Sequence, residues 1–198
     1  FMIIVIVFSI ERALVLRKAA GKGNVDNFVL SVRRLLNQNK IDEAIEECDR
    51  QEGSVGNVVK EGLTTYKALA HDTTMNKEQK MVALNKSIEE ATTLEMPMLE
   101  KNMMILSTLG TVATLVALLG TVIGMIKAFS ALGSGGGTPD SAALSIGISE
   151  ALVNTALGIG TSAVAIILYN YFTSKIDGLT FKIDEIAMSI QQSFAEFH

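Results

Sequence analysis

The stretch MMILSTLGTVATLVALLGTVIGMI, Met103–Ile126, decides the fold because it contains no charged residue. At about 1.5 Å per residue it is long enough to cross about 30 Å of hydrocarbon. A second apolar run extends from Ala142 to Phe172 and is interrupted only by Glu150. The linker between the runs, GSGGGTPD at 133–140, is rich in glycine and too short for a domain. The sequence therefore predicts two transmembrane helices joined as a hairpin.

The first residues of the chain, FMIIVIVFSI at 1–10, are also apolar but too few to span a bilayer, which takes about 20 residues. Basic residues come after this run, at Arg12, Arg17, Lys18 and Lys22. A signal peptide would have its basic residues before the run and a cleavage site after it. We therefore interpret 1–16 as the end of a first transmembrane helix that begins upstream of the given sequence.

The charges are distributed unevenly: 14 of the 17 Lys and Arg residues lie between Arg12 and Lys101. Basic residues flanking transmembrane helices mark the cytoplasmic side. With three spans, we expect a cytoplasmic helical region at 17–101 and a cytoplasmic helical tail at 174–198. The second and third transmembrane helices are predicted at 102–132 and 142–173. The N-terminus and a short turn at 133–141 then face the periplasm.

The pattern of the charged region is helical, which makes the predicted fold an all-α membrane protein with a cytoplasmic helical bundle. One apolar stripe comprises Ile41, Ala44, Ile45 and Cys48, and another in the tail comprises Ile176, Leu179, Ile183, Ile186 and Ile190. EGSVG at 52–56 predicts one break, and HDTTMNKEQ at 71–79 predicts a second with caps at Asp72, Thr73 or Thr74. From Asn76 we expect one long helix into the second span, with Pro97 as a kink or helix start.

Several functional classes are disfavoured by the composition. No basic patch is interleaved with aromatic residues, which argues against nucleic acid. Cys48 is the one cysteine, and His71 and His198 have no metal-ligand spacing. GSGGG lacks the strand, lysine and helix of a phosphate-binding loop. We therefore expect neither an enzyme nor a bound cofactor.

Glu150 is the residue most indicative of function. Acids inside transmembrane helices are rare and commonly mark proton or ion paths. The alternative is a glutamate at the outer interface, favoured by the positive end of the helix, but a start at Ala142 places Glu150 about 12 Å along the axis. Asn154 follows one turn later on the same face, Thr161 two turns beyond it, and Thr155 could border the same lumen. For each hydroxyl the alternative is a bond to its own helix carbonyl four residues earlier.

Small residues recur every four positions in both runs, a pattern that lets membrane helices approach closely. In the second span these are Gly120, Gly124 and Ala128; in the third they are Ala143, Gly147, Ala151 and Thr155, with Gly158 a further packing candidate. We interpret them as contacts between spans or between subunits. Lys127 is interpreted as a residue whose ammonium group reaches the outer interface.

Two segments carry a family resemblance: LVALLGTVIGMIKAF at 115–129, and GISEALVNTALG at 147–158 followed by YNYF at 169–172. Together they resemble the MotA/TolQ/ExbB proton channel family, most closely its ExbB members, and the likeness covers nearly the whole chain. The essential acid of the family matches Glu150, and its lumen-facing threonines match Thr155 and Thr121. Thr114 and Val164 stand where members commonly have proline, so the resemblance carries no helix kink to those positions.

The resemblance implies a homopentamer in the inner membrane of a Gram-negative bacterium. Its central pore would hold single-span subunits similar to ExbD, and a TonB-like protein would pass the work to outer-membrane transporters. The transported ion would be H⁺, with protonation of Glu150 at each step.

Other functions stay open. A TolQ-like subunit of the Tol envelope system or a gliding-type stator belongs to the same family, whereas a MotA-like stator has an additional span and a larger cytoplasmic insertion. A passive membrane scaffold that binds partners through its cytoplasmic helices is the alternative from another class. The scaffold predicts that Glu150 is dispensable.

Overall fold

The computed structural model describes residues 1–134 and 141–197, without the side chains of 131–134. The described residues form helices and no strand. In chain order the helices are α1 Met2–Ala19, α2 Val25–Asn37, α3 Ile41–Gln51, α4 Gly53–His71, α5 Lys77–Glu100, α6 Met103–Ser134 and α7 Ser141–Phe197. The predicted all-α class is confirmed, whereas the predicted turn at 133–141 lies largely outside the described residues.

The chain divides into two compact units. The first, which we call the apolar unit, comprises Phe1–Glu11 and Asn102–Phe172. The second, the charged unit, comprises Arg12–Lys101 and Thr173–His198. Two helical stretches of the described residues are long and apolar enough to cross a membrane, one within 77–130 and one within Ser141–Phe197. Only 22 % of the most apolar window of each is buried, which is unlike the core helix of a soluble protein.

In the apolar unit, α6 and α7 run antiparallel and touch through their smallest residues. A Cβ added at Gly124 would lie 2.9 Å from Ala151 Cβ, and one added at Gly147 would lie 2.9 Å from Ala128 Cβ. Gly158 meets Ala117 in the same way. Because no larger side chain separates the backbones, the two helices approach closely, as small residues allow in membranes.

The charged unit has a conventional core of large apolar side chains. The buried members include Phe28, Val32, Leu36, Leu63, Tyr66, Leu84, Ile183, Ile186, Ile190 and Phe194. Ala44 and Cys48 of α3 join this core, and Ile41 and Ile45 pack against it. Leu179 packs against it too, so both predicted apolar stripes, apart from Ile176, face this core, and their predicted helices are confirmed.

Buried polar contacts add to the packing of this unit. Arg12 is fully buried and donates from Nη1 to the Leu99 carbonyl at 3.1 Å. That carbonyl is in the last turn of α5 and has no partner within the helix.

The Tyr66 and Phe194 rings meet edge to face with centroids 4.9 Å apart. The contact between α4 and the end of α7 thus fixes two segments that are distant in sequence.

Both predicted breaks in the charged region exist, but the predicted cap of the second is wrong. The first break comes at Glu52 and Gly53, which have φ of 57° and 74°. At the second break the N-cap of α5 is Asn76, whose side chain accepts from Gln79 N at 2.8 Å while Gln79 Oε1 accepts from Asn76 N. Asp72 accepts instead from Thr74 within the preceding turn. The reciprocal capping box makes Asn76 the better start of the helix.

The expectation of one long helix from Asn76 into the second span is also wrong. α5 ends at Glu100 and α6 begins at Met103. Asn102 has φ of 62°, in the left-handed region that ends helices, and its Nδ2 donates to Glu11 Oε2 at 3.2 Å. Pro97 lies inside α5 and does not start a helix. α7, by contrast, is continuous over 57 residues, as expected.

Candidate ion path

Ionic side chains are rare in the apolar unit. Its described residues contain Glu11, Lys127 and Glu150 as the only charged side chains. Glu11 lies at the Asn102 end of the unit, where the Asn102 amide contacts it. Glu150 lies inside α7, is exposed, and forms no hydrogen bond or ion pair within the described part of the chain. Another molecule or subunit is therefore free to approach this carboxylate.

Thr121 and Thr155 meet where α6 and α7 cross. Their hydroxyl groups are hydrogen-bonded to each other, and both are partly buried. Thr121 Oγ1 also lies 3.1 Å from the Ala117 carbonyl and 3.2 Å from the Ala151 carbonyl of the facing helix. Thr155 Oγ1 lies 3.4 Å from the same Ala151 carbonyl. The structure thus brings the two predicted threonines together into one polar cluster, one helical turn from Glu150.

Asn154 lies on the same exposed face of α7 as Glu150. Residues four apart on a helix are neighbours, with Cβ atoms about 5–6 Å apart. No hydrogen bond joins the two side chains in the part of the chain that the structure describes. Both polar groups are therefore available to the same incoming molecule.

Thr161 lies away from this face. It is 5 % exposed and donates to the Leu157 carbonyl at 2.8 Å, which is the bond to its own helix expected as the alternative. The adjacent Ser162 is also buried and bonds across the helix pair to the Gly110 carbonyl. Ser162 was not among the predicted site residues, and its inter-helix bond depends on the register of the two helices.

The five predicted packing residues occupy different environments. Gly124, Gly147, Ala151 and Gly158 all contact the facing helix. Gly120 does not: an added Cβ there would have no atom within 4 Å. Four of the five therefore lie between α6 and α7, and Gly120 lies on a surface that no described side chain of the same chain covers.

The charged unit offers little chemistry of its own. Across the described residues, no group of three His, Cys, Asp or Glu side chains is arranged to hold a metal ion. Burial of Cys48, together with the Asp49 and Glu47 carboxylates, raises the pKa of its thiol to about 12. Such a thiol is a poor nucleophile because only the thiolate attacks.

Comparison with known proteins also draws attention to the apolar unit. The profile of the MotA/TolQ/ExbB proton channel family matches residues 50–185, more than half of the chain. An ExbB-like biopolymer transport protein of Synechocystis is 33% identical over 113 residues, covering 57% of this chain and 54% of its own. The biopolymer transport protein ExbB of Xanthomonas campestris is 32% identical over 113 residues, covering 57% and 44%.

A relative with another name is similar to nearly the same degree. The Tol-Pal system protein TolQ of Pseudomonas aeruginosa is 28% identical over 131 residues, covering 65% of this chain and 55% of its own. The chain thus spans about half the length of the curated relatives it matches. The matched residues include α6 and the polar part of α7, with Glu150 and both threonines.

Proposed function

The chain belongs to the MotA/TolQ/ExbB proton channel family, and on that premise we propose that it is the proton-conducting subunit of an ion-driven motor in the inner membrane. The observation that carries the proposal is Glu150. It is the one acidic side chain described between Asn102 and Phe172, and it is exposed within an apolar helix. A carboxylate in hydrocarbon is unfavourable, and in membrane proteins such groups face a bundle interior or water.

The proposed path runs past Glu150 and then along the cluster of Thr121 and Thr155. Glu150 takes up a proton from one side and releases it to the other. The threonine hydroxyls can both donate and accept, so they can align water or a partner's carboxyl group near the acid. Asn154 borders the path on the Glu150 face, one helical turn after Glu150. Thr161 is not included, because its hydroxyl is occupied inside the helix pair.

We propose the topology given by the positive-inside rule. The charged unit lies in the cytoplasm, and the N-terminus and the 133–141 turn face the periplasm. The boundaries of the spans are those predicted above, at 1–16, 102–132 and 142–173. Exposed apolar residues along α1, including Ile3, Val7, Ile10 and Leu14, are consistent with contact to lipid or to a neighbouring subunit.

The proposed assembly is a homopentamer whose pore holds ExbD-like single-span subunits. The exposed Glu150 supports it, since the carboxylate has no partner within its own described chain. One elementary charge that crosses 100 mV releases about 2.3 kcal/mol. A few protons per step therefore supply enough free energy for a conformational cycle.

The client system is proposed as a TonB-like protein and outer-membrane transport, because ExbB proteins are among the relatives. A TolQ-like role in the Tol envelope system is the second candidate, supported by the P. aeruginosa protein. Purification from native membranes in mild detergent, followed by mass spectrometry, distinguishes the two. A single-span partner with a TonB-like protein supports the first, and TolR-like and TolA-like partners support the second.

The motor itself is tested with Glu150→Gln in the native host. The amide keeps the shape of the side chain but cannot exchange a proton, so we expect loss of the energised activity with normal assembly. Ser149→Ala, at an exposed neighbouring position, is the matched control. Full activity of Glu150→Gln would exclude the motor and favour a passive membrane scaffold.

A further inference from the structure

The contacts between α6 and α7 fix the register of the two helices and hence the side on which Lys127 lies relative to Glu150. Gly124 faces Ala151, and Ala128 faces Gly147. These two contacts are related by a local two-fold axis, which is perpendicular to the plane that contains the two antiparallel helices. The same axis relates the residue before Ala151, which is Glu150, to the residue before Ala128, which is Lys127. Because such an axis keeps equivalent residues on one side of the pair, Glu150 and Lys127 project from the same side.

Their depths are also similar. Opposite Lys127 on α7 lies Ile148, since Ala128 is opposite Gly147. Ile148 is two residues from Glu150, which corresponds to about 3 Å along the helix axis. The axes of packed helices are about 8–10 Å apart. A lysine and a glutamate side chain that extend toward each other can close this separation.

No other described charge competes for either group. Lys127 is the one cationic side chain described in the apolar unit, and it is exposed. It forms no ion pair in the described structure. The elements packed nearby, α6, α7 and residues 1–11 of α1, contribute Glu11 as the remaining charged side chain, and Glu11 lies at the opposite end of α6 beside Asn102. Asp140 lies outside the described residues.

We propose that Lys127 is the electrostatic partner of Glu150 and that it makes the ion site selective for protons. The ammonium group stabilises the carboxylate after a proton has left. It also occupies the place that Na⁺ would take beside that carboxylate and repels Na⁺ from it. This inference rests on the proposed function and adds a residue that sets its preference for protons. It replaces the sequence interpretation, in which Lys127 only reaches the outer interface.

The test measures the protonated fraction of Glu150 directly. Dicyclohexylcarbodiimide modifies protonated carboxyl groups in apolar surroundings, and mass spectrometry locates the product. The full chain with its copurified partners is labelled in native-lipid vesicles across a pH series. Each series is run in sodium chloride and in choline chloride of equal ionic strength. The variants are Lys127→Met, which keeps length without charge, and Lys127→Arg, which keeps charge.

In the wild type we expect labelling that sodium does not reduce. In Lys127→Met we expect faster labelling at a given pH, because the nearby positive charge that favours the carboxylate is removed. Sodium now slows labelling of the variant, since Na⁺ can take the vacated place. Lys127→Arg behaves as the wild type. Lys101→Met, which removes an exposed lysine from the charged unit, changes neither property.

Three results would overturn the proposal: Lys127→Met indistinguishable from the wild type, sodium protection already present in the wild type, or no labelling of Glu150 in any variant. These results differ from the one that excludes the motor. The motor is excluded if Glu150→Gln keeps full energised activity. If activity requires Glu150 but Lys127→Met behaves as the wild type, the motor proposal stands and the role proposed for Lys127 is wrong.

Discussion

The two units of this chain are packed by opposite rules. In the apolar unit the helices touch through glycine and alanine, and large side chains such as Leu118, Leu119 and Ile167 are exposed. In the charged unit large side chains such as Leu63 and Ile186 are fully buried. Burial of apolar surface drives association in water but not in lipid, where close backbone contact takes over. The contrast therefore identifies the solvent that each unit is built for.

α7 shows both rules within one helix. Its first part exposes Leu152, Val153 and Leu157, whereas its last part buries Ile183, Ile190 and Phe194. The change occurs near Phe172, where the apolar unit ends. A polar side chain is consequently unusual in the first part and ordinary in the last, which is why Glu150 indicates function and Asp184 does not.

The largest expected effect concerns the reactivity of Cys48 in the charged unit. With a pKa of about 12, against an ordinary value of 9.0, the thiol has about a thousandfold smaller thiolate fraction near pH 8 than it has in the unfolded chain. We expect iodoacetamide to modify it at least that much more slowly in the native protein than in denaturant. Comparable rates in both would show that this core is open.

The next effect is that of a cavity in the charged unit. Leu63→Ala removes a side chain that is 0% exposed and should lower the free energy of unfolding by about 2–5 kcal/mol. Leu94→Ala, at a position that is 81% exposed, is the control and should cost much less. Both free energies are measured by chemical denaturation of the full chain in detergent micelles, with hydrogen exchange of α4 as the probe of unfolding. Equal costs would contradict the assigned core.

A smaller effect is expected from enlarging a residue between the membrane helices. Gly158→Val places a side chain against Ala117 and should destabilise the apolar unit by about 1–3 kcal/mol through overpacking. Gly120→Val is the matched comparison, because a Cβ at Gly120 would meet no atom of the described chain within 4 Å. Thermal unfolding in detergent compares them. If Gly120→Val were the more damaging, Gly120 would belong to a subunit contact that is tighter than the α6–α7 contact.

The smallest effect tests the polar cluster. Thr121→Val and Thr155→Val each remove one hydroxyl from a shared hydrogen bond. A double-mutant cycle on stability should give a coupling of about 0.6 kcal/mol, the average for polar contacts between membrane helices, and no more than about 1.7 kcal/mol. A coupling near zero would mean that each hydroxyl is satisfied by its own helix.

Much of this fold can be predicted from local sequence patterns, namely the spacing of apolar residues and the residues that cap or break helices. The apolar stripes at Ile41–Cys48 and Ile176–Ile190, and the break at Glu52, follow from short-range periodicity. The cap at Asn76 was also readable, since Gln79 follows it by three residues as a capping box requires. Asp72, Thr73 and Thr74, in contrast, have no Glu or Gln three residues later.

Other features depend on contacts that are distant in sequence. The helix break at Asn102 involves a hydrogen bond to Glu11, 91 residues away. The proposed pairing of Lys127 with Glu150 depends on which small residues of α6 and α7 face each other. Four-residue spacing alone predicts that two helices pack but does not fix their register. The candidate acid could therefore be predicted from the sequence, whereas its proposed partner could not.

The central claim is that a proton passes through Glu150, and proton flux tests it most directly. The full chain and its copurified partners are reconstituted in vesicles with a pH-sensitive dye, and a membrane potential is imposed. We predict flux in the wild type, reduced flux in Glu150→Asp, and none above empty vesicles in Glu150→Gln. Flux through Glu150→Gln equal to that of the wild type would contradict the account.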